Sequence, residues 1–178
     1  MSYVLLSVRC LLGAVFLASA LTKVRNRRAF REFEGTVSKL GVPRGQVRAV
    51  ALVVAITEAS IPFLLAGPAR AVTGVGLGLA VGVLGAFVAA IVHTVRRGAA
   101  VPCRCFGSSS TTPLGRRHVA RNALLIAAAA AGLFGVVSGT QDALTPSGAA
   151  VAAVAGLVGA ILIVMFDDVI DLVAAPSM

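Results

Sequence analysis

The sequence predicts an all-α protein, a polytopic membrane bundle of about five transmembrane helices in which four form the core and one is added. Hydrophobic residues make up 58% of the 178 residues and charged residues only 13%, about half the charged fraction of a typical soluble domain. Five stretches of 18 or more residues carry at most one charge each, and each is long enough to cross a bilayer. We therefore expect one transmembrane domain over residues 1–178 and no sizeable soluble domain.

The predicted spans are separated by short polar segments. In chain order, the five predicted spans cover residues 4–22, 49–66, 71–95, 122–139 and 147–166. Between the first two, the segment from Ala29 to Leu40 places Phe30, Phe33 and Val37 on one helical face, which predicts a short amphipathic helix at the membrane surface.

Small residues recur every four positions in two of the spans. The third span carries Gly74, Gly78 and Gly82, and the fifth carries Ala152, Gly156 and Ala160. Small residues at this spacing allow helices to approach closely in lipid. Both stripes are therefore expected to be packing faces.

The basic residues predict the orientation of the chain. The side of the membrane reached after the first span receives 14 of the 16 Lys and Arg residues, and the positive-inside rule makes that side cytoplasmic. We expect a multi-pass plasma-membrane protein with an external N-terminus and a cytoplasmic C-terminus. The net charge of +9 is explained by this orientation, so no nucleic-acid partner is expected.

The loop before the fourth span contains the residues with the clearest chemistry. Two of the three cysteines, Cys103 and Cys105, lie two positions apart behind Pro102, on the side predicted to be cytoplasmic. An extended chain separates such residues by roughly 6.6–7.2 Å, whereas a relaxed disulfide needs roughly 4.4–6.8 Å between Cα atoms. A bridge between them would require a bent backbone and would be easily reduced. Nearby arginines, including Arg104, favour the reactive thiolate.

Other chemistry-bearing residues allow alternatives. His93 and His118 flank the cysteine pair and could complete a four-ligand zinc or copper site, although the spacing fits no standard zinc finger. Cys10 is expected to be a packing residue. Arg9 and Glu58 are the charges well inside spans, at similar depths, and are predicted to form an ion pair.

The stretch from Cys103 to Gly107, followed by Arg121-Asn122, resembles the MauE family of methylamine utilisation membrane proteins, which is grouped with the DoxX-like redox-associated proteins. Other matching positions are Arg9, Ala20, Lys23 and Glu58. The resemblance implies that Cys103 and Cys105 are the redox dithiol. It also implies an intramembrane support for them: Arg9, Lys23, Glu58, Arg121 and Asn122.

The family is associated with disulfides in partner proteins, in a manner compared with quinone-coupled thiol oxidases. An external dithiol would then be expected, but the charge count places this pair on the cytoplasmic side. Three explanations are compatible with the sequence: the partner protein is cytoplasmic, the cysteine loop re-enters the membrane, or the predicted orientation is inverted.

Three functions are compatible with the sequence. The first is a membrane thiol–disulfide oxidoreductase or redox accessory that acts on a thiol-containing partner protein and holds no metal, with a lipid quinone or a second thiol partner as electron acceptor. The second is a metal-binding or metal-transfer membrane protein that uses the same sulfur atoms. The third is a non-catalytic membrane anchor of a redox complex.

Overall fold

The computed structural model describes residues 2–97, 116–139 and 145–174, and within these ranges every regular element is an α-helix. Their bounds are α1 Ser2–Val24, α2 Arg27–Lys39, α3 Val47–Ala66, α4 Arg70–Arg96, α5 Arg116–Val137 and α6 Pro146–Ala174. In these described ranges all helices except α2 are long and apolar enough to cross a membrane. The predicted all-α bundle with five spans is confirmed.

Four of the five long helices form a ring, and the fifth lies outside it. Helix α1 packs against α3 and α5, and α4 packs against the same two helices. Each ring helix supplies a fully buried side chain to the shared core, namely Leu12, Ile61, Leu77 and Leu125. Helix α6 packs mainly along α1. This arrangement is the predicted four-helix core with one added helix.

The outward faces of the long helices are apolar. Phe63, Val137 and Val151 are each at least 70% exposed. Large exposed apolar patches are rare on soluble monomers. In a membrane protein the bilayer covers such a surface. The exposed side chains therefore agree with the membrane assignment made from the sequence.

Contacts between chain-distant residues define the two ends of the bundle. The Tyr3 hydroxyl lies 3.1 Å from Thr145 Oγ1, and Arg9 donates to the Leu65 carbonyl. The N-terminus, the turn between α3 and α4 and the start of α6 therefore share one end, called here the N-terminal end. The end of α1, helix α2, the end of α4 and the start of α5 lie at the opposite end, called the loop end.

Helix α2 is the predicted amphipathic helix at the loop end. Asn26 caps its first turn, since its side chain accepts a hydrogen bond of 2.8 Å from the Ala29 amide. Phe33 and Val37 are buried and pack against Ala51 of α3. The polar face is left exposed, as expected for a helix at a membrane surface.

Only one of the two predicted small-residue faces is a packing face along its whole length. Gly156 of α6 is buried so closely against α1 that an added Cβ would collide with the Ser7 carbonyl oxygen, and Ala152 and Ala160 on the same stripe are buried. In α4 the prediction holds only at Gly74, where an added Cβ would lie 3.7 Å from Val136 of α5, and it is wrong at Gly78 and Gly82, which face open space. Beyond Gly74 the α4 stripe points away from the other helices that the structure describes.

Candidate functional site

A buried ion pair joins α1 and α3 near the loop end of the bundle. Lys23 Nζ lies 2.5 Å from Glu58 Oε2, and the two side chains are 3% and 5% exposed. Lys23 is in the last turn of α1, and helical side chains point back toward the helix N-terminus. Its ammonium group therefore reaches into the bundle, where it also donates to Ser19 Oγ at 2.6 Å.

Ser19 closes this pair into a triad. Its hydroxyl accepts from Lys23 and donates to Glu58 Oε2 at 3.2 Å. Ser19 lies one turn before Lys23, so both side chains are on the same face of α1. The carboxylate thus receives two hydrogen bonds from one helix, which partly offsets the cost of burying its charge.

The surface helix α2 covers the triad. Lys23 Nζ lies over the ring of Phe33, 5.1 Å from the ring centroid. This is within the range at which an aromatic face attracts an ammonium group. Phe33 is also part of the apolar contact that holds α2 on α3. The position of α2 is therefore coupled to the buried lysine.

Helix α5 contributes the other polar side chains. Arg121 and Asn122 are 3% and 5% exposed, and His118, one turn earlier, is 7% exposed. The same face continues as Leu125 and Ala129, which are fully buried in the core. The inward face of α5 is therefore polar in its first two turns and apolar beyond them.

These side chains surround a small cavity between α1, α3, α4 and α5. Its volume is about 30 Å³, which accommodates one or two water molecules. Its polar wall is formed by Ser19, Lys23, Glu58, Arg121 and Asn122, and its apolar wall by Val15, Phe16, Val83, Leu84 and Phe87. Two cations and one carboxylate give this polar wall a formal charge of +1. An electron-rich group would be stabilised there.

Four of the five residues assigned as intramembrane support therefore converge on one cavity, and Arg9 does not. Arg9 Nε donates to the Leu65 carbonyl at 2.5 Å, and its Nη2 donates to the Gly67 carbonyl at 2.7 Å. The predicted ion pair between Arg9 and Glu58 is wrong. Glu58 pairs with Lys23 instead, since Arg9 faces the end of α3, seven residues beyond Glu58.

The predicted cysteine pair, Cys103 and Cys105, lies outside the described residues. Within the described ranges no group of three His, Cys, Asp or Glu residues is arranged to hold a metal. His93 is exposed at the end of α4, whereas His118 is buried. Cys10 is a free, half-buried thiol whose Cβ lies against Gly156, in agreement with the packing role predicted for it.

Ser19 was missed by the sequence reasoning, although a signal for it exists. Val15, Phe16, Ser19 and Lys23 follow the spacing of one helix face, and the first two are buried. A serine between apolar residues and a lysine on the core-facing stripe indicates a polar contact inside the bundle.

Comparison with known proteins identifies the family of the chain. Residues 1–135 match the family model described as "Methylamine utilisation protein MauE", a range that contains every residue of the cavity wall. A methylamine utilization protein MauE of Paracoccus denitrificans is 33% identical over 145 residues, which cover 80% of this chain and 75% of that protein. No solved structure matches. On these matches the chain belongs to the MauE family.

Proposed function

We propose that the protein is a membrane accessory of methylamine utilisation that exchanges thiols and disulfides with a partner protein through Cys103 and Cys105. A thiolate of the partner attacks the Cys103–Cys105 disulfide and forms a mixed disulfide, which the second partner thiol resolves. The partner gains a disulfide, and Cys103 and Cys105 are left as a dithiol. Two electrons and two protons must then pass to an acceptor.

The observation that carries this proposal is the buried polar cavity at the loop end. The segment that contains both cysteines connects α4, which ends at Arg96, with α5, which begins at Arg116. Cys103 is seven residues beyond Arg96, a distance that an extended chain covers with roughly 23–25 Å of reach. Arg121 lies five residues into α5, roughly 7.5 Å from its start. The chain is therefore long enough for a thiol to approach the cavity.

The charge of the cavity suits this chemistry. The thiolate is the reactive form of cysteine, and nearby cations favour it. Lys23 and Arg121 outnumber Glu58 in the polar wall. A cysteine at the cavity mouth would be held as thiolate, while the Lys23–Glu58 pair keeps the buried charges compensated.

The proposed electron acceptor is either the disulfide of a second thiol protein, which becomes a dithiol, or a lipid quinone, which becomes a quinol. A cavity of about 30 Å³ holds water but not a quinone ring. A quinone would have to accept electrons at the cavity rim, or after the apolar wall around Phe87 has moved.

Alkylation followed by mass spectrometry tests the proposed dithiol. After equilibration in graded thiol buffers, Cys103 and Cys105 should gain and lose alkylation together, and Cys103→Ser or Cys105→Ser should abolish function. Cys10→Ser is the matched control and should leave the redox midpoint unchanged. Arg121→Gln should slow alkylation of the pair, because one cation is removed from the cavity wall.

Other results would reject the oxidoreductase. Two thiols that stay reduced at every redox potential of the buffers would reject thiol–disulfide exchange and support the non-catalytic membrane anchor. A stoichiometric metal that is retained after chelation, detected by elemental analysis, would instead support the metal-binding alternative.

We further propose that the N-terminal end of the bundle is external and the loop end cytoplasmic, because the basic residues are concentrated at the loop end. A green fluorescent protein fused to the C-terminus should fluoresce, and alkaline phosphatase fused there should be inactive. Phosphatase fused after Gly67, at the N-terminal end, is the matched control and should be active. The reverse pattern would invert the orientation and place the cysteine pair outside.

A further inference from the structure

A long groove opens on the lipid-facing side of the bundle, between α2 and α3. Its volume is about 1020 Å³, far larger than that of the buried cavity. Residues from one face of α2, from the connection to α3 and from the outward face of α3 line it. It is separate from the Lys23–Glu58 triad and plays no part in the proposed thiol chemistry.

Positive charge is concentrated at one end of this groove. Arg27, Arg31, Arg44 and Arg48 line it together with a single acidic residue, Glu34, so these side chains carry a formal charge of +3. All four arginines are exposed, and among the described residues none of them forms an ion pair. Guanidinium groups bind phosphate oxygens in pairs of parallel hydrogen bonds. The positive-inside rule explains the number of these arginines but not their arrangement around one groove.

The other end of the groove is apolar. Beyond Arg48 its α3 wall consists of Leu52, Ala55, Ile56 and Ala59, and Leu52 and Ile56 are 43% and 65% exposed. From Arg48 to Ala59 the helix rises by roughly 16 Å, about half the thickness of the hydrocarbon core. The groove therefore has the polarity and the depth of one membrane leaflet.

An apolar contact holds the two helices that form the groove together. Phe33, Val37 and Ala51 form an apolar contact between α2 and α3, to which Phe30 and Val47 add. Phe30 and Val47 also line the groove. A ligand would therefore lose little affinity to ordering of the protein.

We propose that this groove binds an anionic phospholipid. The phosphate group lies among the four arginines at the membrane surface, and an acyl chain lies along α3 over Leu52 and Ile56. A zwitterionic lipid carries a cation beside its phosphate and is therefore bound less well by a site with a charge of +3. A soluble phosphate compound lacks the chain that the apolar end accepts.

Native mass spectrometry of the full-length protein in detergent tests this proposal. Phosphatidylglycerol and phosphatidylcholine with identical acyl chains are added at equal concentration. Wild-type protein should retain phosphatidylglycerol about tenfold more tightly than phosphatidylcholine. Arg31→Gln/Arg48→Gln removes two charge-assisted contacts and should reduce the affinity for phosphatidylglycerol by at least about tenfold, the expected effect of losing even one of them.

The matched control is Arg25→Gln/Arg28→Gln. It removes the same charge from exposed arginines of the same region that do not line the groove, and it should leave binding unchanged. Equal losses in both double variants would show general attraction of lipid to a basic surface, and equal retention of the two lipids would show annular lipid only. Either result overturns the proposal.

Two further arms test the apolar end of the groove. Ile56→Gln should weaken phosphatidylglycerol binding about threefold or more, whereas Phe63→Gln, which changes an exposed residue of α3 outside the groove, should not. Glycerol phosphate should not displace the lipid at equal concentration. Displacement by glycerol phosphate would mean that only the phosphate is recognised, which contradicts a phospholipid site.

Discussion

Replacing Glu58 by Gln should lower the free energy of unfolding by about 3–5 kcal/mol, the typical cost of removing one partner from a buried ion pair. Glutamine has nearly the same shape as glutamate, so packing is preserved and the charge alone is lost. Lys23 would remain buried with its ammonium group 2.5 Å from a neutral amide. Arg121, which lines the same polar wall of the cavity, would be a second cation without a compensating carboxylate.

A double-mutant cycle measures how strongly the pair is coupled. Lys23→Met, Glu58→Gln and the double variant are unfolded by sodium dodecyl sulfate in mixed micelles and followed by far-ultraviolet circular dichroism. We expect the double variant to be less destabilised than the sum of the single variants by at least about 1 kcal/mol, as for residues in direct contact.

The matched control is an ion pair of the same chain at the surface. Arg28 Nε lies 3.2 Å from Glu32 Oε1, and the arginine side chain is 87% exposed. Arg28→Gln should change stability by no more than about 0.5 kcal/mol. Additive effects at Lys23 and Glu58 would contradict a coupled buried pair.

The fold was predictable because charge is expensive inside a membrane. Gaps between charged residues therefore mark the spans, and the five gaps correspond to α1, α3, α4, α5 and α6. The face of α2 was predictable for a similar reason, since the spacing of Phe33 and Val37 is a property of the helix alone. Both inferences depend on one element at a time.

The pairing of charges was not predictable in the same way. The sequence indicates the depth of a residue in the membrane but not the direction in which its side chain faces. The depths of Arg9 and Glu58 agree only approximately. Which face of α1 meets α3, and where Lys23 points from the last turn of its helix, depend on packing. Lys23 was counted with the basic loop for orientation, yet its side chain turns back by one helical turn and reaches Ser19.

The small-residue stripes show the same limit. The stripes of α4 and α6 have equal spacing, but only Gly156 has a neighbouring helix close enough to need the absence of a side chain. Gly132, which was not singled out, is packed against Val8 and Leu77 in the ring. Spacing identifies residues that permit close approach, whereas the topology of the bundle decides where close approach occurs.

Arg9→Met should destabilise the protein by at least about 3 kcal/mol, because two charge-assisted hydrogen bonds are lost and each contributes about 1.5–3 kcal/mol. The bonds go to the Leu65 and Gly67 carbonyl groups at the end of α3, which have no partner within the helix and carry its negative dipole. Arg9→Lys should recover part of the loss, since a single ammonium group can still reach one carbonyl.

The same unfolding assay distinguishes this role of Arg9 from an ion pair with Glu58. The two residues act roughly 10 Å apart along α3, so the effects of Arg9→Met and Glu58→Gln should add to within about 0.5 kcal/mol. A larger coupling energy would restore the ion pair predicted from the sequence. Because Arg9 lies at the N-terminal end, Arg9→Met should also leave alkylation of Cys103 and Cys105 unchanged, whereas Arg121→Gln should slow it.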